Sequence, residues 1–351
     1  MSIVQIGVLV SLQQALRIVG PPCWGWLAAH AAENTLLVRA AAGMLAGCAL
    51  LAVAQGMGPI AAALVLLFFA SSGIMPIAES VALREVAGDA GRYGRLRVWG
   101  SIGFVLAVSA GGPLLDLLGT GWLPAWMALS VAGVIWAARR TGRRERPVAT
   151  SRGPRARIRH RLREPLIAAF FVSSLLMIVA HAGLYAFYSL YLERLGFSKS
   201  LIGLMWSLGV VAEIAVFALQ RRLFDRFDAG RLLAASFLVA ALRFAIIGGC
   251  DGAIGWLLVA QLMHAFSFGV HHSASVALLH RWFEPAMQAR AQAFNIVAGY
   301  GIGGTLGGLL ASWVWEDFSP SSVFGAAAIA AFAGWLVLWA AARTGRAERA
   351  T

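Results

Sequence analysis

Apolar runs of twenty or more residues recur from one end of this sequence to the other, and they constrain the fold more than any other feature. A helix needs about 20 apolar residues to cross the roughly 30 Å hydrocarbon core of a bilayer. Lipid supplies no water for backbone groups, which leaves only helices or a closed barrel, and no period-2 alternation supports barrel strands. The chain is 60% hydrophobic and only 13% charged, against about 25% charged in an ordinary soluble domain, which excludes most soluble enzymes. The fold class expected is an all-α polytopic membrane protein, with helices over 3–27, 35–54, 59–84, 95–118, 121–139, 165–192, 199–221, 231–249, 253–279, 289–313 and 321–342. The first of these is read as a span rather than a signal peptide, because it has no basic leader or cleavage site and Arg17 interrupts it.

Cys23, Cys48 and Cys250 all fall inside apolar segments and read as small packing residues rather than a disulfide framework. The net charge of +13 comes from 29 Lys+Arg against 16 Asp+Glu, and every basic residue but Lys199 is Arg. Sorted by alternate loops, 25 of the 29 fall on one side, only Arg194 and Lys199 on the other, and Arg17 and Arg243 within spans. The basic side is therefore predicted to be cytoplasmic, with the C-terminus on it. Basic residues spread over many loops do not make a nucleic-acid module, so no nucleic-acid partner is expected. The densest cluster, after Arg139, reads as a solvated linker beside anionic lipid headgroups.

Comparing the sequence with itself reveals a long repeat. At an offset of 196, Ile6-Gly7 aligns with Ile202-Gly203 and Ser11-Leu12 with Ser207-Leu208. At 195, Ser80 to Leu83 aligns with Ser275 to Leu278, Arg95 with Arg290 and Gly112 with Gly307. Such repeats are the mark of transporter halves. The expected organisation is an N-terminal half at 1–139, a basic cytoplasmic linker at 140–164, a six-helix C-terminal half at 165–342 and a cytoplasmic tail at 343–351. The repeat partner of helix 165–192 falls before Met1, so the N-terminal half is predicted to show five helices with its first absent, through a misassigned start or a truncated gene; a natural eleven-helix protein is the alternative.

Local motifs add a family resemblance. The segments RIVGPPCWGWLA (Arg17 to Ala28), YGRLRVWGSIGF (Tyr93 to Phe104), SLYLERLGFSKSLIGLMWSLGVVAEI, LMHAFSFGVHHSASV and GYGIGGTLGG resemble the phenylpropionate permease branch of the major facilitator superfamily, which is similar to the lactose and nucleoside proton symporters. The resemblance covers nearly the whole chain. It implies the major facilitator fold of two six-helix halves rocking about a midplane cavity, and import of a small solute with protons, an aromatic carboxylate being the leading candidate. It also implies that Glu213, Arg243 and His264 match charged positions used for proton coupling. The superfamily's acidic-basic latch after the second helix is altered here to GWLAAH at Gly25 to His30, whereas the repeat-equivalent loop keeps Asp225 and Arg226. Arg95 and Arg97 of the tryptophan-glycine-serine motif join these two as gating candidates.

The residues themselves support several roles. An ionisable group within a span costs roughly 2.5–3.5 kcal/mol on insertion scales and points to a solute or ion path; Arg17, Glu79, Glu213, Arg243 and His264 meet that test. Glu213 lies mid-span among apolar and small neighbours, a setting in which a carboxyl can load and release a proton; a structural ion pair is the alternative. Arg243 stays charged and needs a partner, either Glu213 or a substrate carboxylate. His264 and His271 are seven apart and are expected to share one helical face toward the cavity, His264 as a proton carrier or a hydrogen-bonding group and His271 as a substrate-binding residue. Arg17 occupies the repeat position of Glu213 and reads as structural or gating. Glu79 is a substrate-contact candidate or a carboxylate snorkelling to the interface, and Asp116 reads as a solvated helix end.

Tyr185, Phe187, Tyr188 and Tyr191 give helix 165–192 an aromatic surface on which an aromatic substrate could stack, and Tyr185 and Tyr188 are taken as substrate-binding candidates. His271-His272 does not form a metal site, since adjacent helical residues diverge by about 100° and no further ligand accompanies them. Gly299, Gly301 and Gly304 spell a dinucleotide motif without its strand, and read instead as close helix contacts with Gly303, Gly307 and Gly308. No enzyme constellation is present, no metal or cofactor is called for beyond the proton gradient, and a monomer in the bacterial inner membrane is expected. A sugar or nucleoside symporter, a drug exporter and a non-transporting sensor are the rival readings.

Overall fold

The computed structural model describes residues 2–28, 30–85, 90–140 and 160–347 and, within these, all side chains except those of 80, 83–85, 90–95, 97, 285, 286, 289 and 344–347. Among the described residues every long element is a helix, and eleven segments are long and apolar enough to span a membrane. The chain divides into two compact units, Met1–Thr150 and Ser151–Thr351.

The first unit contains α1 (Ile3–Ala28), α2 (Glu33–Val53), α3 (Met57–Ser71), α4 (Ile74–Glu85), α5 (Ala90–Leu118) and α6 (Leu123–Arg140). Small residues let α2 lie close to α3: a Cβ added at Gly47 would stand 2.8 Å from the Leu67 side chain. The indole of Trp24 in α1 donates to the Phe69 carbonyl at 2.9 Å, filling an acceptor near the end of α3. The helix expected over 59–84 is broken at Ser72-Gly73. Ser71 and Ser72 turn their hydroxyls back onto the carbonyls of Phe68 and Phe69, Gly73 has the Trp24 ring against its Cα, and Pro76 has no N–H with which to continue the ladder. By contrast α1 runs unbroken through Pro21 and Pro22.

The second unit contains α7 (Pro165–Arg194), α8 (Lys199–Arg226), α9 (Ala229–Gly249), α10 (Ile254–His264), α11 (His271–Trp282), α12 (Pro285–Asn295), α13 (Gly304–Asp317) and α14 (Ser322–Ala347). Helix starts carry the expected signals: Ser198 accepts from the Leu201 N–H ahead of α8, Asp228 accepts from the Gly230 N–H ahead of α9, and Pro165 opens α7. The deeply buried α7 packs against α13 and α14, and α9 packs against α14. Along α7 the glycine run makes the close contacts that its spacing predicts. A Cβ at Gly307 would stand 2.7 Å from both Ala182 Cβ and the Val179 carbonyl, and one at Gly303 would stand 2.8 Å from the Leu175 carbonyl.

Two spans contain a feature that sequence periodicity does not announce. Residues Ala265–Val270 between α10 and α11, and Ile296–Gly303 between α12 and α13, are π-helical. A π segment holds more residues per turn than an α-helix and so turns the following face out of register.

The surface is what a lipid solvent requires. Trp99, Leu106, Leu117, Trp136 and Ile329 are all more than 60% exposed, a distribution incompatible with water. Arginines lie over tryptophans near span ends, Arg140 on Trp136, Arg194 on Trp315 and Arg343 on Trp339, as amphipathic anchors at the interface do.

Candidate functional site

The candidate site lies in the second unit, where four helices bring polar side chains into an otherwise apolar core. Glu213 comes from the middle of α8 and His264 from the end of α10, and they meet at 3.8 Å between Oε2 and Nε2. Both are largely shielded, with 17% and 7% of their side chains exposed. Gly269, in the following π segment, makes room for the acid: a Cβ there would stand 3.2 Å from Glu213 Cγ.

Arg243 of α9 is completely buried. Its Nε donates to the Ala260 carbonyl at 2.8 Å and one terminal nitrogen donates to Ser267 Oγ at 3.4 Å. Ser267 in turn donates to the His264 carbonyl, tying the guanidinium to the histidine's own backbone. Both partners of Arg243 are neutral, and its other terminal nitrogen meets no acceptor among the described residues. A buried cation held only by neutral groups is expensive in a low-dielectric interior.

The ring of His181, on α7, completes the cluster. It is fully buried, its centre 6.1 Å from that of His264, with Phe244 and Phe268 at 5.1 and 5.7 Å. This histidine is absent from the candidates drawn from the sequence, although the test applied to the other spans would have found it: it is the one ionisable side chain within the apolar stretch of 165–192 other than tyrosine. Gln261, likewise missed, is buried, and its amide nitrogen meets no hydrogen-bond partner among the described residues.

Tyr185 and Tyr188 sit on the same stretch of α7. Tyr185 stacks on Trp206 at 6.0 Å and meets Phe268 edge-on at 6.3 Å, forming an aromatic wall beside the polar cluster. Tyr188 is buried, edge-on to Trp206, with its hydroxyl directed to the Met205 sulfur.

The other candidates lie elsewhere. His271 does not share a face with His264, because the intervening π segment rotates it away. It bonds to Ser236 Oγ at 3.2 Å and packs edge-on against Phe237, both on α9. Asp225 faces Arg221, one turn earlier, at 4.0 Å, in an exposed pair, and Arg226 is exposed beside it. Glu79 on α4 and Arg17 on α1 are half-buried in the first unit. The side chains of Arg95 and Arg97 lie outside the described residues. Among the described residues no three His, Cys, Asp or Glu side chains gather as metal ligands.

Comparison with known proteins agrees with this architecture. The chain is 32% identical to the probable 3-phenylpropionic acid transporter of Escherichia coli (strain K12) over 196 residues, 52% of this chain and 48% of that protein, so this match spans about half of the relative's length. It is 26% identical to the maltose permease of Geobacillus stearothermophilus, over 95% of this chain and 84% of the permease. The crystal structure of the nucleoside transporter NupG superposes with a TM-score of 0.82 at 17% identity, covering 98% of this chain and 90% of that one. A proton dependent oligopeptide transporter superposes at 0.72 and 15% identity, covering 99% and 92%. At such identities these two structures share the fold alone. The family described as MFS_1 like matches residues 1–326, and the chain therefore belongs to it, a family of multi-pass major facilitator transporters and not of enzymes.

Proposed function

We propose that this protein is a secondary active transporter that imports a small aromatic carboxylate, such as 3-phenylpropionate, together with protons, by alternating access in the bacterial cytoplasmic membrane. The observation that carries this reading is the shielded Glu213–His264 contact beside the fully buried Arg243. A carboxyl and an imidazole in contact inside a span form a group that can hold and pass a proton, and a guanidinium with an unused N–H suits a carboxylate. The aromatic wall of Tyr185, Trp206 and Phe268 offers a surface for the solute's ring. The similarity to a 3-phenylpropionic acid transporter supports the choice of solute.

Glu213 and His264 carry the proton in this scheme, Arg243 orients the anion, and Tyr185 and Tyr188 contact the ring. Arg17, Asp225, Arg226, Arg95 and Arg97 are assigned to gating, and Glu79 and His271 to the margins of the solute path. The protein acts as a monomer with its C-terminus in the cytoplasm and needs no cofactor besides the proton gradient.

A neutral sugar is the second reading, favoured by the maltose permease match along 95% of the chain. Uptake of labelled 3-phenylpropionate into proteoliposomes under an imposed pH gradient, with unlabelled maltose and uridine as competitors, separates the two. Accumulation that collapses with the gradient and ignores both competitors is the expected result. Accumulation of maltose instead overturns the carboxylate reading.

A further inference from the structure

The two buried histidines at the site differ in which nitrogen is spoken for, and that difference has chemical content. His181 Nδ1 lies 2.9 Å from the Met177 carbonyl. A carbonyl only accepts, so Nδ1 bears the hydrogen, and in the neutral ring Nε2 is a bare lone pair. That Nε2 is sealed from solvent and has no hydrogen-bond partner among the described residues. His264 is the mirror case. Its Nε2 lies 3.8 Å from Glu213 Oε2, longer than a hydrogen bond but close enough that the carboxylate's charge favours the hydrogen on that nitrogen, and its buried Nδ1 has no partner among the described residues.

We propose that His181 is where solute and proton meet: the solute's carboxylate binds against the unused N–H of Arg243 and is accepted only with a proton on His181 Nε2. In the neutral ring that nitrogen presents a lone pair, which repels a carboxylate. Protonated, it presents an N–H that donates to one. His264, its ring centre 6.1 Å away, is the neighbouring group that can supply this proton: once the two rings come within hydrogen-bond reach, the Nδ1–H bond of a protonated His264 breaks as the Nε2–H bond of His181 forms, leaving His264 neutral.

Charge balance makes the two events interdependent. The empty site holds one cation, Arg243, and one anion, Glu213. Adding a proton and a carboxylate together keeps the balance. Adding either alone leaves a net charge inside the membrane, which is costly. The charged and titratable groups around His181 are Tyr185 on its own helix, Arg243 from α9, His264 from α10 with Glu213 of α8 behind it, and, farther off and turned to Ser236, His271 from α11. The π segment Ile296–Gly303 packed on α7 adds Tyr300, and the ionisable residues of α13 and α14 lie at their ends. The inference rests on the carboxylate reading for the class of solute and on the unpartnered nitrogens for its place.

The test is calorimetric titration of the purified protein with 3-phenylpropionate, with benzoate as a second carboxylate and 3-phenylpropionamide as the neutral control, in buffers of different ionisation enthalpy. The expected result is about one proton taken up per carboxylate and none with the amide. His181→Gln places a permanent amide N–H near the Nε2 position. It should bind the carboxylates with no proton uptake and with an affinity independent of pH. His181→Asn, whose amide reaches only the Nδ1 position, should lose at least about tenfold in carboxylate affinity while the amide is unaffected; an unchanged melting temperature shows that both variants fold.

Proton uptake that persists in His181→Gln overturns the proposal, as does a wild-type protein that takes up no proton or binds neither carboxylate. The symport reading fails separately. If 3-phenylpropionate is not accumulated but benzoate binds with one His181-dependent proton, the solute falls and the site stands. If 3-phenylpropionate symport is normal in His181→Gln, the solute stands and the role of His181 falls.

Discussion

Arg243 is the largest of the described side chains that are closed to solvent, and its neighbours explain why a span tolerates it. Two of its nitrogens are satisfied by Ala260 and Ser267, its face lies 5.3 Å from the Phe244 ring, and the negative charge nearest in function, Glu213, belongs to the same cluster through His264. Glu213 matters to this balance through its charge rather than its shape. Glu213→Gln keeps an oxygen toward His264 but removes the negative charge and, with it, the carboxylate that carries the proton in the proposed scheme. The variant should lose proton-driven accumulation by at least about tenfold, within the usual range of coupling energies, while retaining solute exchange when labelled and unlabelled solute are placed on opposite sides of the membrane. Counterflow and gradient-driven uptake in the same proteoliposomes check this, and full accumulation in the variant refutes the coupling role.

The elements show which parts of a membrane fold a sequence displays. Eleven spans are legible because each must supply its own run of apolar residues, and the glycines of 299–308 are legible because only small residues let helices touch at that distance. The π segments at Ala265–Val270 and Ile296–Gly303 are not, since neither residue type nor hydrophobic periodicity marks where a helix takes an extra residue into its turn. That is why the seven-residue spacing of His264 and His271 misleads: the residues diverge onto Glu213 and Ser236 respectively. The charged positions of the site could be read one by one, but that Glu213 meets His264 while Arg243 turns to Ala260 and Ser267 is a property of three helices together. Contact between α7 and α13 is the element-scale feature most open to test. Gly307→Leu drives a side chain into Val179 and Ala182 and should destabilise the protein by about 1–3 kcal/mol, with Gly307→Ala intermediate. Melting of the purified variants by tryptophan fluorescence measures the order, and a Leu variant as stable as the parent removes the argument for close packing.

At the scale of the whole molecule, charge and span number together make the proposed topology testable. The eleven candidate spans among the described residues are odd in number, and if each crosses the membrane the ends of the first and the last lie on opposite faces. The cytoplasmic side proposed above rests on the basic residues: 25 fall in one set of alternate loops, while the other set holds only Arg194 and Lys199, the latter paired with Glu193 at 2.9 Å. Each Lys or Arg near an anionic cytoplasmic leaflet is worth roughly 1 kcal/mol, so a bias of this size is not reversed by one or two substitutions. A fluorescent protein fused after Thr351 should therefore fluoresce and alkaline phosphatase at the same point should be inactive, whereas phosphatase inserted in the turn after Arg194 should be active. Replacing Arg139 and Arg140 with Gln should leave both patterns unchanged, because the remaining cytoplasmic arginines still outnumber the opposite side. An active phosphatase at the C-terminus would invert every loop assignment and place the 140–164 linker outside, where it could not meet the anionic cytoplasmic leaflet.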